Sequence, residues 1–385
     1  MRVSRRGEVD PFIVMDVIKA AQAAEARGRS IIHMEVGQPG TAAPAAARAA
    51  LAEAMEGEAL GYSVSLGLTA LRARIARLYG EWYDVELNPE RVVVTPGSSG
   101  GFSLAFAALF DAGERVGIGM PGYPSYRQIL QVMNLEPVLI ETSVGNRYQP
   151  VPEDVAAHDL HGLLVASPSN PAGTMLDRDG LSALMEACRA RGTAFISDEI
   201  YHGLEYDRPS VSALEVGDDA YVINSFSKYF SMTGWRVGWM VVPEDHVRRV
   251  ERIAQHLFIC ASHPSQVAAL AALDCEAELD RNLATYAENR RLMLEGLPRA
   301  GFDRIAPPDG GFYVYADVSH LTDDSLAFAR EILEEAGVAV TPGMDFDPRR
   351  GKGTLRFSYA ASTEDIREGL RRLGAYMADR ARAAG

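Results

Sequence analysis

Lysine is scarce in this sequence of 385 residues, because only Lys19, Lys228 and Lys352 stand among 38 basic residues. Arginine stays protonated in proteins and cannot act as an amine nucleophile, whereas a lysine that is withdrawn from water or placed near another cation loses its proton readily. Lys228 follows an apolar, strand-like segment, residues 220–224, and lies in a loop of small residues with Arg236 nearby. This pattern makes Lys228 a candidate for amine chemistry, and a surface lysine after a strand is the simpler alternative.

The sequence also has few cysteines, and its net charge is negative. Cys188, Cys260 and Cys275 are too few and too far apart for a disulfide framework or a zinc ribbon, and they favour a reducing cytoplasm. The net charge of −14 argues against nucleic acid or an anionic membrane as a partner, since both require a basic surface. The sequence has no run of about 18 apolar residues that would predict a membrane span, and the N-terminus has no pattern of a signal peptide.

The order of the strand-like and helix-like segments predicts an α/β fold with a large and a small domain. Seven β-type segments alternate with helices, which is typical of a doubly wound, mostly parallel sheet. Such sheets bind ligands outside the carboxyl ends of their strands. The predicted strands are residues 91–95, 115–119, 136–140, 162–166, 193–197, 220–224 and 236–242.

The regions on either side of this predicted sheet complete the domain organisation. Residues 243–297 are predicted to be helical, with an alanine-rich helix over residues 265–291 that bridges the two domains. Residues 302–382 mix short strands with helices and indicate a small α+β domain. We therefore predict an N-terminal segment, residues 1–36, that joins the small domain, a large domain over residues 37–275, and a small domain over residues 276–385.

A loop of glycine and serine lies between the first predicted strand of the sheet and a helix. Free backbone N–H groups and the helix dipole would face a ligand there, and a phosphate is the most suitable anion. The loop lacks the lysine of a P-loop and matches the dinucleotide-binding pattern G-x-G-x-x-G poorly, so ATP and NAD are disfavoured. A purely structural turn is the alternative. The loop comprises Gly97, Ser98, Ser99, Gly100 and Gly101.

Polar side chains follow two other predicted strands. Asn170 comes after residues 162–166, and Asp198 and Tyr201 come after residues 193–197. An Asn-Pro turn and a helix cap are the structural alternatives for Asn170 and Asp198. No histidine or second carboxylate stands at the spacing of metal ligands, so we predict no metal site. The carboxyl ends of the strands would instead bring together an amide, a carboxylate and a hydroxyl.

A phosphate cradle, an amide, a carboxylate, a hydroxyl and a lysine at strand ends suit a phosphorylated pyridine aldehyde held as a Schiff base. In their order and spacing, these residues resemble the fold-type I, pyridoxal-phosphate-dependent aminotransferases of classes I and II. The resemblance covers nearly the whole chain, from residues 36–39 to Arg356. It implies an enzyme that moves the amino group of an α-amino acid to a 2-oxo acid with pyridoxal 5′-phosphate as cofactor.

The resemblance also implies a role for each residue near the reacting atoms. Lys228 would bind the cofactor covalently and move the proton at the substrate Cα, and Asp198 would keep the pyridine nitrogen protonated. Tyr201 and Asn170 would donate hydrogen bonds to the phenolic oxygen of the cofactor, and Tyr123 would stack on its ring. These side chains would form the catalytic face of the site.

The remaining roles concern the phosphate, the substrate and a second subunit. Tyr62 would reach the phosphate from the partner of a homodimer. Arg356 and Asn170 would bind the substrate, and Gly37 would leave room for it. The resemblance places the cofactor phosphate on Gly97, Ser98, Ser99, Ser225 and Arg236.

The sequence discriminates less well among substrates and related activities. Ser99 stands where one branch of dicarboxylate-specific relatives has a lysine, so we expect neutral or aromatic amino donors. An aspartate aminotransferase and a carbon–sulfur β-lyase are alternatives on the same scaffold. The sensing domain of a transcription regulator is disfavoured by the acidic charge and by the lack of room for a DNA-binding domain before Gly37. Candidate apolar lining residues are Phe12, Ile13, Phe102, Tyr126 and Phe312.

Overall fold

Strands of the predicted sheet occupy the middle of the chain, and further strands lie on both sides of them. The computed structural model describes residues 1–57 and 59–384, and the secondary structure below refers to those ranges. The strands are β1 Ile32–His33, β2 Val92–Thr95, β3 Arg115–Met120, β4 Glu136–Glu141, β5 Gly162–Ala166, β6 Ala194–Asp198, β7 Tyr221–Ser225, β8 Gly238–Val241, β9 Arg304–Ala306, β10 Tyr313–Asp317, β11 Val338–Ala339, β12 Thr341–Pro342 and β13 Thr354–Ser358.

Seven of these strands form one sheet in the order β2-β8-β7-β6-β5-β3-β4. β3 pairs in parallel with β4 and β5, and the pairs β5–β6 and β6–β7 are also parallel. β8 is antiparallel to both of its neighbours, β2 and β7. The predicted α/β fold with a mostly parallel, seven-stranded sheet is therefore confirmed.

Both faces of this sheet are buried, which explains why its strands are apolar at consecutive positions. Val222 and Val94 belong to one hydrophobic core, and their neighbours Ile223 and Val93 belong to another on the opposite face. Because successive side chains of a strand point to opposite faces, each core takes every second residue.

Helices cover the two faces of the large sheet and pack around the small strands. They are α1 Ile13–Ala26, α2 Ala45–Gly57, α3 Thr69–Tyr83, α4 Gly97–Leu109, α5 Pro124–Val132, α6 Pro152–Ala157, α7 Arg178–Arg191, α8 Val247–Leu257, α9 His263–Ala272, α10 Glu276–Arg299, α11 Ser325–Ala336 and α12 Thr363–Ala384. No helix within residues 1–57 and 59–384 is both long and apolar enough to cross a membrane.

The single helix predicted over residues 265–291 is wrong, because the chain forms α9 and α10 with a break between them. Arg74 of α3 holds this break: its Nη2 donates to the Leu273 carbonyl oxygen over 2.8 Å, and its Nε donates to Asp274 Oδ1 over 2.8 Å. A side chain from another helix thus satisfies a carbonyl at the end of α9, which helical periodicity alone cannot reveal.

Two smaller sheets lie outside the seven-stranded one. β12, β13, β10 and β9 form an antiparallel sheet in that order, and β1 pairs in parallel with β11. The N-terminal segment is thereby hydrogen-bonded to strands from the C-terminal part of the chain. We propose to retain the predicted boundaries at residues 36 and 275, since the small sheets and the large sheet fall on different sides of them.

The polar residues singled out in the sequence follow strands whose carboxyl ends meet at one edge of the large sheet. Asp198 ends β6, Lys228 lies three residues beyond β7, and α4 begins two residues after β2. The strand predicted over residues 236–242 begins only at Gly238, because Arg236 has a left-handed backbone with φ of 51°. Arg236 therefore leaves the sheet, and its side chain lines a cavity at this edge.

Candidate active site

A cavity of about 530 Å³ opens at this edge of the sheet. Its walls include the N-terminal part of α1, the loop at Gly37 and residues from the small sheet. Three of the predicted site residues, Gly97, Ser225 and Tyr62, do not line it. The predicted residues that the cavity brings together are Gly37, Ser98, Ser99, Tyr123, Asn170, Asp198, Tyr201, Lys228, Arg236 and Arg356.

Lys228 projects into the cavity from the loop after β7. Its Nζ donates a hydrogen bond to the Gly37 carbonyl oxygen over 2.6 Å. Withdrawal from water lowers the pKa of Lys228 to about 8, with a further lowering by the Arg356 and Arg236 guanidinium groups against the opposing effect of Asp198. A substantial fraction of the amine is therefore neutral, and thus nucleophilic, near neutral pH.

Asp198 is buried at the end of β6 and accepts two hydrogen bonds. The Ile200 N–H donates to Oδ1 over 3.1 Å, and the Tyr126 hydroxyl donates to Oδ2. Burial raises the pKa of Asp198 to about 6, against the lowering effects of these hydrogen bonds and of Lys228. The carboxylate is thus held in one orientation and is charged above pH 6. Tyr126 was expected only as apolar lining, and its bond to Asp198 is not visible in the sequence.

The first turn of α4 supplies backbone N–H groups at the other end of the cavity. The helix begins at Gly97, and Ser98 and Ser99 line the cavity beside Arg236. Gly97 has a φ of 68°, and a Cβ on it would overlap the Arg236 guanidinium. Helix N–H groups, a helix dipole and a guanidinium together form a site for a phosphate.

Ser225 ends β7 and is not among the residues that line the cavity. Its buried Oγ donates a hydrogen bond to the Oγ of Ser227, which does line the cavity, over 2.8 Å. A direct contact of Ser225 with the phosphate stays a prediction.

Tyr313 is a cavity residue that the sequence analysis missed. Its hydroxyl accepts a hydrogen bond from the Tyr201 hydroxyl over 3.0 Å. A Cβ on Gly37 would overlap this hydroxyl, so Tyr313 fills the space that the sequence analysis assigned to the substrate. The glycine at position 37 thus makes room for a tyrosine of the chain itself. The adjacent Phe312, which was a candidate lining residue, is buried in the core.

Arg356 lies on β13 and is buried beside Asn170. Its Nη1 donates to Asn170 Oδ1 over 3.0 Å, and its Nη2 donates to the Glu35 carbonyl oxygen over 2.6 Å. Its Nε is buried and has no hydrogen-bond partner among the described residues. Arg356 lines the cavity, and a guanidinium at a cavity wall is suited to binding a carboxylate.

A model of the family "Aminotransferase class I and II" matches residues 29–373. The chain belongs to this family. The aminotransferase is 47% identical over 382 residues to a valine–pyruvate aminotransferase of Mycobacterium tuberculosis, with 98% of each chain covered. An aspartate aminotransferase of Thermotoga maritima is 31% identical, covering 98% of this chain and all of the relative. A crystal structure from Silicibacter pomeroyi, described as that of a candidate aminotransferase, is 69% identical and has a TM-score of 0.95, covering 98% of this chain and all of that one.

The aminotransferase is thus an enzyme that transfers an amino group between an amino acid and a 2-oxo acid, and its family uses pyridoxal 5′-phosphate. The site described above fits this cofactor on independent grounds. A helix N-terminus with Arg236 suits its phosphate, buried Asp198 suits a protonated ring nitrogen, and the lowered pKa of Lys228 suits an amine that attacks an aldehyde. Among the described residues, no group of three or more His, Cys, Asp or Glu side chains is arranged to hold a metal ion.

Tyr62 lies outside the cavity of its own chain. Its side chain is 82% exposed, in a loop that contacts residues 258–263. This loop is held by His263, whose Nδ1 lies 2.7 Å from the Gly61 carbonyl oxygen. Tyr62 thus does not contribute to the cavity of its own chain, and the contact with a partner's phosphate site stays a prediction.

Proposed function

We propose that this aminotransferase uses a neutral, aliphatic amino acid as donor and pyruvate, a 2-oxo acid without a second carboxylate, as acceptor. The observation that carries the proposal is the charge of the cavity wall. Among the described residues that line the cavity, the basic ones are Lys228, Arg236 and Arg356, and each has a task in binding the cofactor or the common part of the substrate. No further cation remains for a second carboxylate on the donor. The relative named for valine and pyruvate supports this assignment.

The side-chain pocket would be formed by α1 and the residue that precedes it. Phe12, Val14, Met15 and Ile18 line the cavity, and Phe102 closes it from α4. Asp345 anchors this wall, because its two carboxylate oxygens accept the N–H groups of Ile13 and Val14 over 3.0 and 3.1 Å. An apolar wall held in this way favours an aliphatic side chain through the hydrophobic effect.

Lys228 would perform the proton transfer. Pyridoxal 5′-phosphate, when bound, supplies an aldehyde carbon that condenses with amines and a ring that accepts electrons. The neutral Nζ of Lys228 would take the proton from the substrate Cα and then donate it to the cofactor carbon that carried the aldehyde. Its pKa of about 8 suits both the basic and the acidic form to this exchange.

The other polar residues would bind and orient. Asp198 would hold a proton on the ring nitrogen, and Tyr201 and Asn170 would donate to the ring oxygen. Ser98, Ser99 and Arg236 would hold the phosphate, with Gly97 leaving space for the guanidinium and Ser225 supporting Ser227. Tyr123 is half-buried at the cavity wall and would lie against the ring. Arg356 would bind the substrate carboxylate with its guanidinium group.

We predict that valine and alanine are better donors than aspartate. A missing charge contact to a desolvated carboxylate costs about 2–5 kcal/mol, which corresponds to roughly one to three orders of magnitude in kcat/KM. A panel of kcat/KM values across the amino acids, with pyruvate and 2-oxoglutarate as acceptors, measures this preference. Aspartate at the head of the panel by tenfold would contradict the proposal and favour the aspartate aminotransferase alternative.

A pair of variants on α1 provides the control for this panel. Ile18→Arg places a cation in the pocket wall, so it should raise the kcat/KM of aspartate and lower that of valine. Ala20→Arg adds the same charge on an exposed position of the same helix and should change neither. Equal effects of both variants would show that the preference does not arise at the cavity wall.

We also propose that the enzyme is a homodimer in which Tyr62 completes the partner's phosphate site. A set of large apolar side chains is exposed near Tyr62, on and around the loops at residues 60–64 and 257–263, which contact each other. Exposed apolar patches of this kind mark protein interfaces. The exposed apolar residues are Met55, Tyr62, Val64, Leu257 and Ile259.

The cytoplasmic location expected from the few cysteines stays a prediction.

A mixed dimer of Lys228→Ala and Tyr62→Ala chains is predicted to recover activity that neither parent has at limiting cofactor. In such a dimer, one site combines Lys228 of one chain with Tyr62 of the other and is intact. Mixing equal amounts of the two inactive variants under exchange conditions makes about half of the dimers mixed, each with one intact site, so about a quarter of the wild-type activity should return, and sedimentation should show dimers. An active monomer, or mixtures no more active than their parents, would exclude shared sites.

A further inference from the structure

The guanidinium of Arg356 lies against two aromatic rings. Its Cζ is 4.2 Å from the centroid of Tyr313 and 4.7 Å from that of Phe346. Tyr313 and Arg356 are diagonal neighbours on one face of the antiparallel pair β10–β13, since Tyr313 pairs with Ser358 and Arg356 with Tyr315. The cation therefore lies over two rings, and contacts of this type attract a cation to a ring.

The edges of the same guanidinium are also largely occupied. Nη1 donates to Asn170, and Nη2 donates to the Glu35 carbonyl oxygen and lies 3.3 Å from Thr341 Oγ1. Only Nε lacks a partner among the described residues. With two rings against it and its Nη atoms bonded, the group loses a contact if it tilts or rotates. Arg356 is thus preorganised in one plane.

Tyr313 is itself fixed at the far end of its ring. Its hydroxyl accepts from Tyr201 and occupies the space next to the backbone of Gly37. Phe346 is fully buried and packs edge-on against Tyr315 at a centroid distance of 6.3 Å. The two rings are therefore held by contacts that do not depend on Arg356, so they can set its position rather than follow it.

We propose that Tyr313 and Phe346 are positioning residues that set the plane of Arg356 for binding the substrate carboxylate. The proposal rests on the proposed role of Arg356 and adds two residues to it. The ring of Tyr313, rather than its hydroxyl, supplies the effect. Loss of either ring should weaken the binding of every substrate that has a carboxylate and should leave the chemistry at the amino group unchanged.

The test compares ligands that differ in one group. Valine and 2-methylpropylamine have the same side chain, but the amine lacks the carboxylate. Tyr313→Leu and Phe346→Leu should each raise the KM of valine about 5- to 30-fold with little change in kcat, and leave the half-reaction with 2-methylpropylamine within about twofold. Calorimetric titration of the cofactor-free protein with 3-methylbutanoate should show the same loss of affinity without any turnover. Tyr313→Phe keeps the ring and should stay within about threefold of the wild type.

A fluorinated ring separates positioning from packing if the leucine variants fail to fold. Tyr313→pentafluorophenylalanine has nearly the size of Tyr313→Phe, but it removes the negative face of the ring that attracts a cation. It should raise the KM of valine relative to Tyr313→Phe. Equal KM values for this pair, or equal losses for valine and 2-methylpropylamine in the leucine variants, would overturn the proposal.

Arg356→Gln distinguishes the failure of this inference from that of the proposed function. If this variant keeps the wild-type preference for valine over 2-methylpropylamine, Arg356 does not bind the carboxylate and both proposals fail. If it loses that preference while the Tyr313 and Phe346 variants keep it, only the positioning role is wrong. Loss of the preference in all three variants is the expected result.

Discussion

Replacement of Lys228 by alanine is expected to abolish transamination and the covalent attachment of the cofactor. The other two lysines, Lys19 and Lys352, lie on exposed parts of the chain and are not among the cavity residues, so no second amine can take over. Turnover should fall by about 10⁴-fold, the upper end of the effect of a positioned general acid–base. Steady-state kinetics and the visible absorption of the reconstituted protein measure the two losses.

Matched lysine variants make this test specific. Lys19→Ala and Lys352→Ala remove the same group from the surface and should retain wild-type kinetics and absorption. Lys228→Arg keeps a positive charge but offers no nucleophilic amine, so it should be as inactive as the alanine variant. Turnover of either Lys228 variant at the wild-type rate would show that another residue moves the proton.

The pH dependence of cofactor attachment gives a second measurement of the same role. Only the neutral amine attacks an aldehyde, and the pKa of Lys228 is lowered to about 8 from its usual value. The rate of attachment to the cofactor-free protein should therefore rise with pH and level off above pH 8, which stopped-flow absorbance can follow. A rate that still rises steeply at pH 10 would mean that the amine keeps its ordinary pKa.

The large sheet could be predicted from the sequence because its signal is local. Strands buried on both faces are apolar at consecutive positions, and the β-branched and aromatic residues of Val92 to Val94 and Tyr221 to Ile223 favour such a strand. The polar residues that follow β6 and β7 could be placed together for the same reason, since the carboxyl ends of parallel strands share an edge. Asp198 and Lys228 therefore lie in one cavity, as predicted.

Contacts that depend on the distance between remote segments could not be predicted. Gly37 and Tyr313 are far apart in sequence, and nothing near Gly37 indicates that a tyrosine hydroxyl fills its missing side chain. The hydrogen bond from Tyr126 to Asp198 also joins residues that are remote in sequence. The same is true of the hydrogen bond from Arg74 to the carbonyl oxygen after α9. Hydrophobic periodicity shows which face of a helix or strand is buried, but it does not show which residue of another element contacts that face.

Replacement of Asp198 by alanine is expected to lower turnover by roughly 10²- to 10⁴-fold, because the loss of one partner of a buried charge pair costs about 3–5 kcal/mol. The carboxylate is buried, is held by Ile200 and Tyr126, and is charged above its raised pKa of about 6. It can therefore keep a proton on the ring nitrogen, and the protonated ring is the better electron acceptor. The phosphate would be held by Ser98, Ser99 and Arg236 rather than by Asp198, so the cofactor should still bind.

Three variants separate the charge of Asp198 from its shape. Asp198→Asn keeps the size but loses the charge, so it should be nearly as impaired as Asp198→Ala. Tyr126→Phe removes a hydrogen-bond donor to Asp198 and leaves the charge, so its loss of turnover should be much smaller. A cofactor analogue with a methyl group on the ring nitrogen carries a permanent positive charge and should restore part of the activity of the alanine variant. Near-normal kcat in Asp198→Asn would contradict the electrostatic role, because an amide cannot hold that proton as a charged partner does.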